Sequence, residues 1–201
     1  MTYAQTTQDI KAAVFAIRQG RVVAFPTGTS YGLAADVLQG HSLQRLRNLK
    51  QRPDGKTFSI FLTPSLHGKY LKLTDDEERY LAENTNQPVT LLVKSKSSLE
   101  HLARDGLIGL RIIDHPLMQE LADAAGVPLT ATSANISGRP PCYTPTCVLD
   151  NFPGKLDATT YDLSLALILD GGQLPHRPTS TIVKLQPHPL PQADQQGAQR
   201  Q

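Results

Sequence analysis

The stretch FPTGTSYGL, residues 25–33, joins an apolar run to a loop of small polar residues. The run Val22–Phe25 has the length and composition of a buried strand, and the residues after it read Gly-x-Ser-x-Gly from Gly28 to Gly32. That pattern is typical of the sharp turn that carries the nucleophile of serine hydrolases. The stretch therefore predicts a strand that ends in a functional loop, with Ser30 as one candidate nucleophile.

Strand-like and helix-like segments alternate on either side of this stretch. Helices are predicted over residues 7–19 and 42–49 from apolar spacing, from the capping box that begins at Thr74, over residues 115–125 and after Thr144. Further strands are predicted over residues 58–62, 89–93, 108–112, 129–131, 166–169 and 181–185, and residues 26–40 are predicted as loop and turn. This alternation favours a single α/β domain over residues 7–185 with a mixed sheet and flanking helices.

Composition narrows the class of protein. The chain has 201 residues, 39% of them hydrophobic and 19% charged, with a net charge of +2, which is ordinary for one globular domain. It has no apolar run long enough to span a membrane and no signal-peptide pattern at its N-terminus, so we expect a cytoplasmic protein with no membrane partner. The Pro- and Gln-rich residues 186–201 predict a disordered tail.

The two cysteines, Cys142 and Cys147, form neither a Cys-x-x-Cys motif nor a His/Cys cluster. Such spacing predicts no disulfide framework and no zinc site.

The segment RLRNLKQRPDGK, residues 45–56, carries five basic residues and one acidic residue. It fits either a solvated helix end or a phosphate-binding patch. Its end, Gly55-Lys56-Thr57, resembles a Walker A loop, but the first glycine of that motif would fall on Lys50, and the segment runs into a strand-like stretch rather than a helix. A P-loop is therefore not predicted.

The order of elements along the chain argues against Ser30 as the nucleophile of a hydrolase. The nucleophile of an α/β-hydrolase follows several strands, whereas one predicted helix and one predicted strand precede Ser30. The acid and histidine that follow in the right order, Asp170 and His176, are only six residues apart. They would lie on one turn, which is a poor arrangement for reaching Ser30.

Five polar segments instead lie in or next to the predicted elements, at residues 26–32, 50–53, 109–111, 132–140 and 170–181, and three of them directly follow predicted strands. Ligands of α/β sheets bind in such loops. Lys50 and Arg52 suit phosphate, Arg111 suits a carboxylate, and the Thr, Ser and Asn side chains suit hydroxyl and amine groups.

These loops resemble, in order, the motifs of the YrdC (TsaC) family of threonylcarbamoyl-AMP synthases. The matching segments are Pro26–Leu33, Lys50–Pro53, Leu110–Pro116, Ser133–Gly138 and Asp170–Thr181. The loop after Pro26 carries Gly28 where that family has a glutamate, Phe61 stands where the family often has a histidine, and the ending also resembles the YciO branch.

The resemblance implies a twisted sheet around a basic concave cavity and a defined reaction. L-Threonine and bicarbonate form a carbamate that attacks ATP, which is accompanied by Mg²⁺, and pyrophosphate leaves. Other proteins, the downstream threonylcarbamoyl-transferases, then carry the group to adenosine 37 of tRNA. The alternative is a binding protein rather than an enzyme: an RNA-binding module of the same fold that catalyses no reaction. Basic loops also bind the phosphate backbone of nucleic acids.

The resemblance also implies the roles of individual residues. Lys50 and Arg52 are implied as the catalytic pair, no side chain is implied as a metal ligand, and Ser30 is not a nucleophile in this interpretation. The implied ATP-binding residues are Lys50, Arg52, Lys56, Ser133 and Asn135, and the implied threonine-binding residues are Thr29, Tyr31, Arg111 and Ser180.

Overall fold

A computed structural model describes residues 5–152 and 164–186, which form one mixed ten-stranded sheet with flanking helices. The sheet order is β1-β9-β2-β3-β8-β4-β7-β6-β10, and β5 pairs with β6 off this path. The strands are β1 (Gln5–Thr7), β2 (Val23–Pro26), β3 (Tyr31–Ala34), β4 (Ser59–Phe61), β5 (Leu71–Lys72), β6 (Val89–Ser95), β7 (Leu107–Arg111), β8 (Leu129–Ser133), β9 (Leu167–Leu169) and β10 (Thr181–Val183). This architecture confirms the predicted α/β class with a mixed sheet.

The helices begin and end where their capping residues lie. The side chain of Asp9 accepts from the backbone N–H groups of Lys11 and Ala12, Thr74 forms the predicted capping box with Glu77, and Gly126 ends its helix with a φ of 66°. The helices are α1 (Ile10–Arg18), α2 (Gly40–Leu49), α3 (His67–Tyr70), α4 (Asp75–Glu83), α5 (Pro116–Ala125) and α6 (Pro145–Asn151), with 3₁₀ turns at Pro64–Leu66 and Ser97–Leu102.

One predicted loop is partly a strand. Residues 26–40 were expected to be loop and turn, but Tyr31–Ala34 forms β3, antiparallel to both β2 and β8. The segment Tyr-Gly-Leu-Ala has little strand propensity of its own, and tertiary pairing on both sides decides its conformation. The short elements β1, β5 and α3 were also not predicted.

Strand β8 joins two halves of the sheet. Its residues Leu129–Ala131 pair with β4 on one side, and Thr132 and Ser133 pair with β3 on the other, where a bridge between Leu129 and Asp36 continues the same register. The fully buried Thr130 hydroxyl donates to the carbonyl of Leu33 at 2.9 Å and accepts from the N–H of Ala35 at 3.0 Å. One side chain thus bonds to two backbone groups at the end of β3.

Helices cover both faces of the half-sheet that contains β2. Ala24 packs into an apolar cluster with residues of α2 and α6, while Val23 and Phe25 pack into a second cluster with α1 and α5. In that second cluster the rings of Phe25 and Phe61 lie 5.0 Å apart between centroids. A third cluster fills the other half-sheet around β6 and β7.

Cys142 and Cys147 form a disulfide, so the prediction of no disulfide was wrong. The Thr144 hydroxyl caps α6 by accepting from the N–H of Cys147, and the turn that enters this helix brings the two Cα atoms within 5.4 Å. That separation falls in the usual range for a disulfide. Cysteine spacing rules for frameworks and metal motifs do not cover a bridge within one local turn.

Within residues 5–152 and 164–186, no helix is long and apolar enough to cross a membrane. The predicted tail at residues 186–201 lies outside the described residues except for Gln186.

We expect Thr130→Val to lower the free energy of unfolding by about 2 kcal/mol or more, because it removes both buried hydrogen bonds of the hydroxyl, to the Leu33 carbonyl and from the Ala35 N–H. Thr130→Ser keeps the hydroxyl and loses only a methyl group, so we expect a cost of about 1 kcal/mol. Urea unfolding of both variants makes the comparison. Equal losses would contradict a bridging role for the hydroxyl.

Candidate active site

The Gly-x-Ser-x-Gly stretch is the turn of the β2–β3 hairpin. The Thr27 N–H donates to the Ser30 carbonyl at 3.1 Å, and the Thr27 hydroxyl donates to the same carbonyl and accepts from the N–H groups of Thr29 and Ser30. A nucleophile elbow joins a strand to a helix, whereas this turn joins two strands. Ser30 Oγ contacts the carbonyl of Tyr31 at 3.4 Å, and no histidine lines the cavity it borders. The geometry gives no support to the hydrolase interpretation.

A cavity of about 250 Å³ opens beside this hairpin. Two guanidinium groups, a set of hydroxyl groups and two phenyl rings line it, and none of its lining residues is acidic. The described residues that line it are Phe25, Thr27, Thr29, Ser30, Tyr31, Gly32, Arg52, Thr57, Phe58, Ser59, Arg111, Ala131, Thr132, Ser133, Thr179 and Ser180. We call it the basic cavity.

Six of the nine side chains predicted from the sequence line the basic cavity. They are Thr29, Tyr31, Arg52, Arg111, Ser133 and Ser180. The other three, Lys50, Lys56 and Asn135, do not line it. Their proposed contact with ATP stays a prediction.

Tyr31 ties the hairpin to the loop after β9. Its hydroxyl accepts from the N–H of Gly171 at 3.0 Å and donates to the carbonyl of Gly172 at 2.9 Å. Burial raises the pKa of this hydroxyl, and the nearby Asp170 carboxylate adds to the rise. The Tyr31 N–H also donates to the carbonyl of Cys142 at 2.8 Å. Tyr31 therefore joins three segments at the cavity, while its ring faces the interior.

Arg52 lies over the ring of Phe58, with its guanidinium carbon 4.7 Å from the ring centroid. Its Nη2 donates to the Thr57 carbonyl at 2.7 Å, and desolvation, with the charge of Arg47 second, lowers its pKa. Arg47 lies 5.5 Å from the same ring but does not line the cavity. Lys56 is exposed, and its carbonyl accepts from both arginines.

Lys50 lies behind the cavity wall. Its residue is 2% exposed, and Nζ donates to the carbonyls of Ser133 at 2.5 Å and Asn135 at 2.8 Å. Desolvation, followed by the charge of Arg52, lowers its pKa to about 7. The Ser133 hydroxyl and the Asn135 side-chain oxygen form a hydrogen bond with each other. The structure thus brings the Lys-x-Arg and Ser-x-Asn segments together, with Lys50 as the support of the Ser133–Asn135 turn.

Arg111 ends β7 and forms an ion pair with Asp114, with 2.5 Å between Nη2 and Oδ2. The same Nη2 lies 3.4 Å from the Thr29 hydroxyl, and the Ser180 hydroxyl shares a hydrogen bond of 3.0 Å with Thr90. Sequence reasoning missed Asp114. Its only signal was the spacing of three residues after Arg111, which indicates an ion pair on a helix but not at the end of a strand.

A second, mainly apolar cavity of about 420 Å³ also borders Arg111. Leu62, Leu81 and Ile112 are among its lining residues, and no other predicted site residue lines it.

In the part of the chain that the structure describes, no three His, Cys, Asp or Glu side chains cluster as a metal site would require.

Comparison with known proteins identifies relatives over most of the chain. The model of the Sua5/YciO/YrdC family, whose description reads "Telomere recombination", matches residues 15–192. The threonylcarbamoyl-AMP synthase of Actinobacillus succinogenes is 38% identical over 145 residues, which are 68% of this chain and 78% of that protein.

Solved structures share the fold. P. abyssi Sua5, solved in complex with L-threonine, superposes with a TM-score of 0.77 at 27% identity over 92% of this chain, which spans only 54% of the length of that protein. E. coli YciO superposes with a TM-score of 0.74 at 24% identity, over 91% of this chain and 89% of that one, and so shows the fold alone.

We expect the free energy of unfolding to rise with pH above about pH 7 because of Lys50. The pKa of Lys50 is about 7 in the folded protein, against an ordinary value of 10.5. Between these values the unfolded chain holds a proton that the folded protein has released, so stability increases by up to about 1.4 kcal/mol per pH unit.

Lys50→Met removes the titrating amine. The increase in the free energy of unfolding between about pH 7.5 and pH 9.5 should therefore be smaller, by up to about 1.4 kcal/mol per pH unit. Urea unfolding at several pH values measures it. Lys11→Met, which changes an exposed lysine, is the control and should keep the rise. The same slope in Lys50→Met and in the wild type would contradict this assignment.

Proposed function

Because the chain belongs to the Sua5/YciO/YrdC family, we propose that it synthesises threonylcarbamoyl-AMP from L-threonine, bicarbonate and ATP and releases pyrophosphate. One structural observation carries the proposal: the described lining of the basic cavity presents two guanidinium groups and many hydroxyls, but no histidine or carboxylate that could activate a hydroxyl as a nucleophile. Such a lining suits a reaction that needs orientation and charge stabilisation rather than a covalent enzyme intermediate.

The proposed chemistry forms and breaks bonds in two stages. The amino group of threonine adds to bicarbonate, with loss of water, to give a carbamate. A carbamate oxygen then forms a bond to the α-phosphorus of ATP, the bond from that phosphorus to the bridging oxygen breaks, and pyrophosphate leaves with its electron pair. Catalysis of such a transfer rests on positioning the reactants and on stabilising the charge of the phosphoryl oxygens.

The threonine side of the cavity is assigned to Thr29, Arg111 and Ser180. A guanidinium group is the natural partner of the amino-acid carboxylate, and hydroxyls can donate to or accept from the remaining polar groups. Tyr31 contributes its ring as a wall, because both of its hydroxyl contacts already go to Gly171 and Gly172.

The ATP side is assigned to Arg52 and Ser133, which line the cavity, with Lys50 and Asn135 fixing the turn that carries Ser133. The volume of about 250 Å³ is below the range of about 300–1,000 Å³ typical of small-molecule sites. It suits threonine and the reacting phosphate, so the rest of ATP extends through the mouth, towards the loop that carries Lys56.

Mg²⁺ would accompany ATP and neutralise charge on its phosphates. The lining residues of the basic cavity include no carboxylate, which is the protein ligand that Mg²⁺ prefers. The described residues therefore do not fit a protein-held magnesium site, and we assign the ion to the phosphate oxygens and water.

The product would serve the N6-threonylcarbamoyladenosine modification at position 37 of tRNA, through downstream threonylcarbamoyl-transferase proteins. This role implies a cytoplasmic location. An RNA-binding module without turnover is not favoured, because the curated relatives are named as synthases.

We expect pyrophosphate release from ATP to require both L-threonine and bicarbonate, and Arg52→Ala to lower its rate by about a hundredfold, since one fewer cation faces the phosphates in the transition state. Pyrophosphate release on the purified protein, with each reactant omitted in turn, measures this.

Arg47→Ala is the matched control, because Arg47 contacts the same Phe58 ring and lies outside the cavity lining. Its effect should be much smaller than that of Arg52→Ala. A rate of pyrophosphate release that does not depend on threonine would contradict the proposed function. So would the absence of pyrophosphate release from protein shown to be folded.

A further inference from the structure

Asp114 lies one layer behind the basic cavity. Its side chain is 1% exposed, and neither of the two cavities is lined by it. Oδ1 accepts from the N–H of Gly28 at 2.9 Å, and Oδ2 accepts from Nη2 of Arg111 at 2.5 Å. The carboxylate therefore joins the tip of the β2–β3 hairpin to the cation that ends β7.

A carboxylate buried to this degree needs partners, because its desolvation is otherwise strongly unfavourable. The partners that Asp114 has are both parts of the threonine side of the site. Arg111 supplies the compensating charge, and the Gly28 N–H supplies a hydrogen bond that is stronger for being made to a charged acceptor.

Gly28 leaves the space that this carboxylate fills. A Cβ added at position 28 would lie 2.7 Å from both Cγ and Oδ2 of Asp114 and 3.0 Å from the Asp114 carbonyl. A real Cβ does not approach other atoms so closely, so a side chain at position 28 would have to displace Asp114. The glycine is required here by space rather than by backbone conformation.

Arg111 has room to move without such a partner. Its side chain borders the basic cavity and the apolar cavity, and its Nε is buried without a hydrogen-bond partner. Its second contact, with the Thr29 hydroxyl, is long at 3.4 Å. The short ion pair with Asp114 is therefore the contact that fixes where the guanidinium group points.

We infer that Asp114 is a positioning residue for threonine: through Oδ1 it sets the hairpin that carries Thr29, and through Oδ2 it sets the guanidinium of Arg111. The inference rests on the proposed function, because threonine is the ligand that this geometry would receive. Asp114 does not touch the substrate. It decides how two residues that do touch it are placed relative to each other.

The first test is Asp114→Asn. Asparagine keeps the shape, but its amide can offer an oxygen to Gly28 or to Arg111 and not to both. We expect the Kd for L-threonine, measured by calorimetry, and the KM for threonine to rise about tenfold, while the KM for ATP changes by less than about twofold.

Asp76→Asn is the matched control. Asp76 forms an ion pair with Arg79 at the same spacing of three residues, but that pair is solvent-exposed, with 63% of the arginine side chain and 35% of the aspartate side chain accessible. We expect Asp76→Asn to bind threonine like the wild type. A purely structural role for Asp114 would lower the melting temperature without separating the two KM values.

Gly28→Ala provides a second, independent test, because it disturbs the same contact from the other side. We expect it to weaken threonine binding by about tenfold in the wild type and by less than about twofold when Asp114 is already alanine. Such non-additivity identifies the two residues as one unit.

The outcomes separate the two claims. Threonine binding by Asp114→Asn that equals the wild type, or fully additive effects of Gly28→Ala and Asp114→Ala, would overturn the positioning role and leave the proposed function standing. A wild-type protein that does not bind threonine would overturn both.

Discussion

The hydroxyl of Thr130 ties the central strand β8 to the end of β3. Strand β8 lies between β3 and β4, and its pairing with the β3 segment keeps one register from Ser133 to Leu129. At Ala35 the side chain of Thr130, rather than a backbone carbonyl, accepts the N–H, and it also donates to the Leu33 carbonyl, so this buried N–H keeps a partner. The basic cavity lies just beyond this point. The hairpin reaches it from one half-sheet, Arg111 from the other, and Ser133 from the end of β8 itself.

Three of the four cations that the sequence predicts for the site, Lys50, Arg52 and Arg111, differ in their electrostatic state. Arg111 is neutralised by Asp114, and Lys50 faces two carbonyls with a pKa of about 7. Arg52 is stacked on Phe58 and bonded to a backbone carbonyl, and it retains a positive charge with no carboxylate against it among the residues that the structure describes. The potential at the cavity therefore comes mainly from Arg52. Arg111 contributes a guanidinium group of fixed orientation, and Lys50 stabilises the turn from Ser133 to Asn135.

The sequence predicted those parts of the molecule that local rules govern. Capping at Thr74 and Thr144, the helix stop at Gly126 and most strands follow from patterns within a few residues, and motif order placed six site residues in one cavity. It missed β3, whose Tyr-Gly-Leu-Ala segment is a strand only because β2 and β8 flank it. It also missed the burial of Lys50 and the role of Asp114. A residue type indicates which groups its side chain can bind, whereas the tertiary structure determines which of those groups it contacts.

The hydrogen bonds of Tyr31 link the site to the order in which the chain is made. The hydroxyl of Tyr31 bonds to a loop 140 residues later in the sequence, and that loop follows β9, a strand inserted between β1 and β2. Contacts of such sequence separation form late, because the entropy of closing the loop is lost before the contact compensates for it. A nascent chain on the ribosome can fold local helices and hairpins, but Tyr31 lacks its partners Gly171 and Gly172 until the loop after β9 has emerged. The lining of the basic cavity is completed later still, when Thr179 and Ser180 have been synthesised.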